Sequence, residues 1–468
     1  MAVLILLCAA QFMVILDVTV VNVALPSIQE DLAIATEDLQ WVVTAYTLAF
    51  GGLLLLGGRL ADLGGRRLVF LSGLAGFTAA SVGAALADSS AVLLAARLAQ
   101  GVGAAMLSPA ALSLITSLHA DGPERSRALA AWAAVASSGG AFGVLAGGAL
   151  TETLGWRAIF VINVPVGIAV ALAALRLLPA TAPTRRGRID LGGAVLSTAS
   201  LVALIYALVE APDAGWSSPQ TLALVAAAAA GLVAFVTLES RVSEPLVTLS
   251  VFRRRTTVTA LVLMIAGMGT VLSAFFFSSL YLQHILGHSA LRTGLEFLPG
   301  ALLLVVAAHV GGHLISRFGA KPVLAAGMAL GALGALLLSG VSPDGGYLSD
   351  VLPGLLVLDV GIGLAASGIF ITAMSGVGER EAGMVSGLTA TAHEIGIALV
   401  LPVLSTIAAG GIGGERIEAA GLDPGAVTAG FGDAFSAAAG IALGAALLAL
   451  VALRRSDIAP GAQPAFGH

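Results

Sequence analysis

The apolar residues of this chain come in blocks of about 20, separated by short polar breaks, and that grain constrains the fold more than any other feature. At about 1.5 Å per residue, a helix of this length crosses the roughly 30 Å hydrocarbon core of a bilayer. Lipid offers no partner to backbone polar groups, so a crossing segment must satisfy its own hydrogen bonds, as a helix does. Of 468 residues, 58% are hydrophobic and 10% charged, against about 25% charged in an average soluble domain. The sequence therefore predicts an all-α membrane protein. About 14 spans are expected, at 2–26, 39–60, 68–87, 91–118, 127–150, 157–178, 190–210, 219–238, 256–283, 293–316, 321–341, 351–374, 383–408 and 434–453.

The first block has no basic segment ahead of it and contains Asp17, which suits a membrane helix better than a cleaved signal peptide. Its Cys8 is the only cysteine, which excludes an intrachain disulfide and a multi-cysteine metal site. Nothing supports nucleic-acid binding. The basic residues are informative through their placement, because cytoplasmic loops collect Lys and Arg. With both termini cytoplasmic, 18 of the 22 fall on that side; Arg157, Arg292 and Arg416 fall outside and Arg97 stays within a span. The expected location is the cell (cytoplasmic) membrane, multi-pass, with both termini in the cytoplasm.

The segment Gly58-Arg59-Leu60-Ala61-Asp62-Leu63-Gly64-Gly65-Arg66-Arg67 is echoed by Gly312-His313-Leu314-Ile315-Ser316-Arg317-Phe318-Gly319-Ala320-Lys321. Each lies at the expected cytoplasmic end of a span. Paired halves of this kind are a common transporter plan. The expected division is an N-terminal six-helix half over 1–180, a linker with two extra helices over 181–250, a C-terminal six-helix half over 251–456 and a tail over 457–468.

In the first of these segments glycines allow close approach, while Arg66 and Arg67 flank Asp62; Gly58, Asp62, Gly65, Arg66, Arg67 and Arg317 are candidates for a conformational latch. A positive loop that merely sets topology is the alternative. The segment resembles the cytoplasmic loop motif of the major facilitator superfamily, with Leu63 where that motif has a basic residue. Leu16-Asp17-Val18-Thr19-Val20-Val21-Asn22-Val23-Ala24-Leu25-Pro26 resembles the first-helix motif of the 14-span drug:proton antiporters of the EmrB/QacA type. Trp156-Arg157-Ala158-Ile159-Phe160-Val161-Ile162-Asn163-Val164-Pro165, and Tyr281-Leu282-Gln283 followed by Gly287 and Gly294, are similar to signatures of the same group. The resemblance implies a major facilitator fold, two six-helix halves plus two inserted helices.

Arg97-Leu98-Ala99-Gln100-Gly101-Val102-Gly103 resembles the fourth-helix motif, whose arginine the resemblance links to proton coupling. A nucleotide loop is excluded, since no strand precedes the glycines. In span 5, Gly139, Gly143, Gly147 and Gly148 form a flat packing face, of the kind common between membrane helices. The corresponding antiport motif carries Gly-Pro where this chain has Gly143-Val144, which leaves the direction of transport open.

Ionisable groups inside a bilayer cost about 2.5–3.5 kcal/mol each on insertion scales, so each calls for a partner or a task. Helix counting sets Asp17 roughly 13 Å and Arg97 roughly 10 Å from the outer ends of their spans. The two are expected to interact, either as a proton-coupling pair or as a permanent ion pair that fixes packing. Asp359 is expected across the cavity from Arg97, taking a proton, attracting a cationic substrate or making a helix contact. Glu394 beside His393 is a third proton-coupling candidate, or else a protonated group bonded to a neighbouring helix. Asp17, Asn22, Gln100, Asp359 and Phe276 are the expected substrate-cavity residues, although Phe275 to Phe277 can equally face lipid. His309 and His313 are spaced for a metal but lack a third ligand, so no metal site is expected.

The resemblance implies a proton-coupled secondary efflux transporter, an antiporter exporting lipophilic or cationic drugs or antibiotics by alternating access. Export of a single endogenous metabolite, lipid or siderophore, or proton-coupled symport, stays open beside it. There is no Ser/His/Asp set, HExxH helix or Walker A loop, which argues against an enzyme or an ATPase. The expected partners are a small-molecule substrate, protons and the lipid bilayer, with the proton gradient as energy source, no cofactor and a monomeric state.

Overall fold

Two glycines reverse the chain within a single residue. Gly65, at φ +90°, separates α2 (Thr36–Gly64) from α3 (Arg66–Ala85), and Gly319, at φ +84°, separates α11 (Ala290–Phe318) from α12 (Ala320–Leu338). A side chain disfavours that left-handed region, so glycine is the residue that makes the turn cheaply. The two positions are the matching glycines of the internal repeat.

The computed structural model describes residues 2–118, 123–179, 190–242, 245, 247–377, 379–411 and 424–454. The remaining helices are α1 (Ala2–Leu32), α4 (Ser90–Leu118), α5 (Pro123–Leu154), α6 (Ala158–Val161), α7 (Asn163–Leu177), α8 (Leu191–Ala214), α9 (Pro219–Glu239), α10 (Arg255–Leu280), α13 (Leu352–Met374), α14 (Glu379–Gly411) and α15 (Pro424–Ala452). Short π-helical turns follow α10, at Tyr281–Ile285, and precede α13, at Tyr347–Val351. No strand occurs among the described residues. Eleven helices among them are long and apolar enough to cross a membrane.

Two spans depart from the sequence expectation. The first helix continues through Pro26 to Leu32, because neighbouring helices can satisfy what a proline frees. The sixth expected span breaks at Ile162 into α6 and α7. The fifth is an unbroken helix through Val144, in keeping with the absence of a proline there.

Packing partners recur in two sets. In the first, α1 packs on α5, α2 and α3 on α4, and α3 on α7; in the second, α10 packs on α14, α11 and α12 on α13, and α12 on α15. Glycine permits the closest of these approaches. A Cβ on Gly57 would meet Ala105 O at 1.8 Å, and one on Gly361 would meet Gly331 N at 2.3 Å.

The two bundles meet along α2/α14 and α5/α11. At the end remote from Gly65 and Gly319, here the far end, they are tied directly. Ser279 Oγ donates to Asn22 O (2.9 Å), Gln283 Nε2 to Val23 O (3.0 Å), and Leu291 N to Glu152 Oε2 (3.0 Å). The glycine face of α5 serves both neighbours: Gly143 lies on Thr19 and Gly147 on Val20 of α1, while Gly148 lies on Ala290 of α11. The environment of Gly139 lies outside the described residues.

Helices α8 and α9 pack on each other, and α8 lies along the α2/α14 seam. Thr198 Oγ1 donates to Gly52 O on α2 (3.1 Å), and Thr406 Oγ1 on α14 donates to Leu208 O (3.2 Å). Leu48, Ile205 and Ala398 close a small apolar cluster between the three helices.

Candidate functional site

Five helices of the first bundle contribute polar side chains to one dry cluster. Asp17 on α1 pairs with Arg97 on α4, and both are buried, at 1% and 0% exposure. Arg97 Nη1 also donates to Gln100 Oε1 (2.9 Å), and Nε donates to Val42 O on α2 (2.9 Å). The second carboxylate oxygen, Asp17 Oδ1, accepts from Asn163 Nδ2 (2.7 Å) and Gln100 Nε2 (3.0 Å). Ser81 Oγ on α3 accepts from Gln100 Nε2 (2.9 Å) and donates to Phe77 O (2.9 Å). The guanidinium lies 4.4 Å from the centre of the Tyr46 ring and 5.8 Å from that of Phe160. Break of the sixth span at Ile162 leaves Asn163 as the first residue of α7.

This arrangement serves an ionised carboxylate. It supplies Asp17 with a guanidinium and two amide donors, and it supplies Arg97 with two neutral acceptors and an aromatic face. Removing one charge from such a buried pair costs about 3–5 kcal/mol, because the other is left uncompensated.

Glu394 on α14 approaches the cluster from the second bundle. A Cβ on Gly51 of α2 would stand 2.4 Å from Glu394 Cβ, so the acid is seated against a glycine of the facing bundle. Oε1 lies 2.9 Å from His393 Nδ1, while the buried Oε2 has no hydrogen-bond partner among the described residues. Tyr46 on α2 lies under the Arg97 guanidinium, with its hydroxyl 3.5 Å from Val14 O on α1.

The other expected residues are dispersed. Asp359 is fully buried inside the second bundle, with its carboxylate against Gly300 of α11. In this conformation Asp17, Gln100 and Asp359 line no open cavity, since each is at most 1% exposed. Asn22 donates from Nδ2 to Val18 O (3.1 Å) and lies at the α1/α10 tie. Phe276 and Phe277 on α10 are both buried and meet edge to face, and Phe277 packs on Phe431 and Phe435 of α15. An apolar groove of about 600 Å³ lies instead between α2, α8 and α9, lined among others by Leu53, Leu56, Val202, Tyr206 and Leu224.

At the loop segments, Arg67 Nη2 donates to Leu175 O at the end of α7 (2.6 Å), Gly58 faces Pro109, and Arg317 lies exposed with its guanidinium 5.2 Å from the Phe318 ring. The Arg66 Nε atom is buried without a partner among the described residues, and the side chain of Asp62 lies outside them. His309 and His313 each bond to a carbonyl of their own helix, Val305 O and His309 O. At the far end Trp156 Nε1 donates to Asp31 Oδ2 (3.1 Å), and Arg157 joins Asp31 to Ala87 O (2.9 Å).

Sequence reasoning passed over Tyr46, Ser81 and Asn163 as site residues. Their signal is a polar side chain alone within an apolar block, which is weaker than a charge because a hydroxyl or amide is cheaper to bury. Residues 7–401 match the profile of the Major Facilitator Superfamily. The chain belongs to the major facilitator superfamily. It is a membrane transporter, and its relatives include antibiotic exporters. It is 42% identical to a cephamycin export protein of Amycolatopsis lactamdurans, over 97% of this chain and 93% of that one. It is 39% identical to a puromycin resistance protein of Streptomyces alboniger, over 96% and 89%. Among solved structures, a bacterial homologue of the human lysosomal transporter Spinster, inward-facing and unoccupied, superposes with a TM-score of 0.69. The identity there is 18%, with 96% of each chain covered, so the likeness is one of fold.

Proposed function

We propose that this chain is a 14-span drug:proton antiporter of the EmrB/QacA type, exporting lipophilic or cationic antibiotics across the cell membrane with both termini in the cytoplasm. In this reading α2, α5 and α8 cross the bilayer together with the eleven apolar spans described above. The α1–α7 and α10–α15 bundles are the two six-helix halves, and they rock about the α2/α14 and α5/α11 seams. The inserted α8–α9 pair rides on the first of these seams. The chain acts as a monomer on a small-molecule substrate and draws on the proton gradient.

The observation that carries this reading is the Asp17–Arg97 pair, buried within the apolar span of the fold and hydrogen-bonded to Gln100, Asn163 and Val42. Proton arrival at Asp17 releases Arg97 and favours one arrangement of the first half; proton departure restores the pair. Glu394, whose Cβ is seated on Gly51 across the seam, links the change to the other half. The far end is closed by Ser279, Gln283 and Glu152, and its opening releases substrate outward.

Everted vesicles with an acidified lumen test the exchange. Adding a transported antibiotic to the wild type releases protons from the lumen, and Asp17→Asn abolishes this while the protein remains folded and inserted. Unchanged pH-dependent efflux in Asp17→Asn removes the coupling role. Proton uptake in step with substrate import instead supports symport, the possibility that Val144 raises. A narrower reading, export of one endogenous compound, draws on relatives named for a single antibiotic, such as cephamycin or puromycin. Growth of a pump-deficient host across a compound panel separates the two: broad protection marks a multidrug pump, protection against one scaffold a dedicated exporter.

A further inference from the structure

Asp359 is the one fully buried carboxylate of the second bundle whose oxygens, among the described residues, both lack a hydrogen-bond partner. Its carboxylate fills a slot left by Gly300 of α11, where a Cβ would stand 2.2 Å from Oδ2. Leu355 borders the same space.

Charged neighbours do not compensate it. Gly267 of α10 faces Ile362, and Gly334 of α12 faces Leu358, which sets Asp359 at the depth of Thr270 and Gly334. Arg255 on α10 and Lys321 on α12 are then roughly 20 Å away along their helices. On α11, Glu296 is one turn from Gly300, but its carboxylate is held by His288 Nδ1 (2.8 Å) and Arg292 Nε (3.0 Å). His309, His313 and Arg317 are exposed further along the same helix. On α14, Glu394 is turned to Gly51 and His393, and Glu379, Arg380 and Glu381 open the helix at the opposite end from the one that lies near the far side. Asp350, in the π turn before α13, lies about two and a half turns away with Tyr281 and Ser342 as partners.

We propose that Asp359 is a second proton-binding site, which holds its proton in the conformation described here and releases it when α11 and α13 part. A fully buried ionised carboxylate without donor or cation is far costlier than the neutral acid. A helix-fixing role requires a hydrogen bond, and among the described residues none is made. On release the O–H bond breaks, the electron pair stays on the carboxylate, and the proton leaves to the water that enters between the helices. The proposal deepens the exchange reading above: one proton is handled at Asp17 and one at Asp359, giving two per cycle.

Infrared spectroscopy of the purified full chain tests the proton itself. At neutral pH the wild type shows a protonated-carboxyl C=O band that Asp359→Asn loses and Asp17→Asn keeps; a spectrum unchanged in Asp359→Asn overturns the proposal. Asp359→Leu, a neutral side chain of similar size that leaves no polar atom to satisfy, gives the same loss and covers the case in which the asparagine variant folds poorly. Proteoliposomes with the membrane potential clamped at zero, and ethidium as probe, test the count. Each proton exchanged per substrate multiplies the limiting gradient about tenfold per pH unit. A gradient of about 100-fold at one pH unit therefore falls to about tenfold in Asp359→Asn. An unchanged gradient sinks the second site. A wild type that builds no gradient from the proton difference sinks the exchange reading instead, and leaves the infrared result standing.

Discussion

The two bundles treat their buried carboxylates in opposite ways. Asp17 in the first is met by Arg97, Gln100 and Asn163, whereas Asp359 in the second lies against Gly300 with no hydrogen-bond partner among the described residues. Both are essentially without solvent exposure. The same residue type at similar burial is thus paired in one place and, among the described residues, unpartnered in the other. The difference lies in the donors around each acid, and not in its depth.

The comparison is broken most severely by Arg97→Ala. It strands Asp17 as an unpaired charge, and should destabilise the chain by about 3–5 kcal/mol, read from thermal unfolding in detergent. The corresponding loss at Asp359 is absent, because that acid has no partner to lose. Asn163→Ala removes one donor to the carboxylate and should cost about 1.5–3 kcal/mol; a cost near zero shows that the guanidinium alone satisfies Asp17. Gly300→Ala probes the other side, since its methyl collides with the Asp359 carboxylate. About 1–3 kcal/mol of overpacking is expected, recovered in the Gly300→Ala, Asp359→Ala double variant. Failure of that recovery places the strain in the backbone and not in the acid.

Much of the fold could be read before any coordinates. Apolar block length predicted the helices, and the echo of Gly58 to Arg67 in Gly312 to Lys321 marked the two turns that Gly65 and Gly319 make. Helix counting gave Asp17 and Arg97 a common depth, and the structure brings them together. The partners Tyr46, Ser81 and Asn163 were not legible, because they come from three helices far apart in the chain and carry no charge to single them out. Asp359 was expected to share a cavity with Arg97. It turns instead toward α11, because Gly300 offers space there and helix counting resolves depth but not the rotation of a side chain about its helix. Phe276 illustrates the same limit, being consumed in packing with Phe277.

The sequence by itself determined that the chain lies in a membrane as helices and that it repeats. It also determined that a few acids and one arginine are held where lipid makes them costly. Those properties depend on composition and spacing along a single helix, which the linear order contains. Only the tertiary structure decided which acid is paired and which is alone, and that Glu394 reaches the first bundle through Gly51. The same holds for α8, which lies along the α2/α14 seam. Each of these depends on how helices rotate and approach one another, which is set by where glycines let two backbones close and so by contacts between residues distant in the chain.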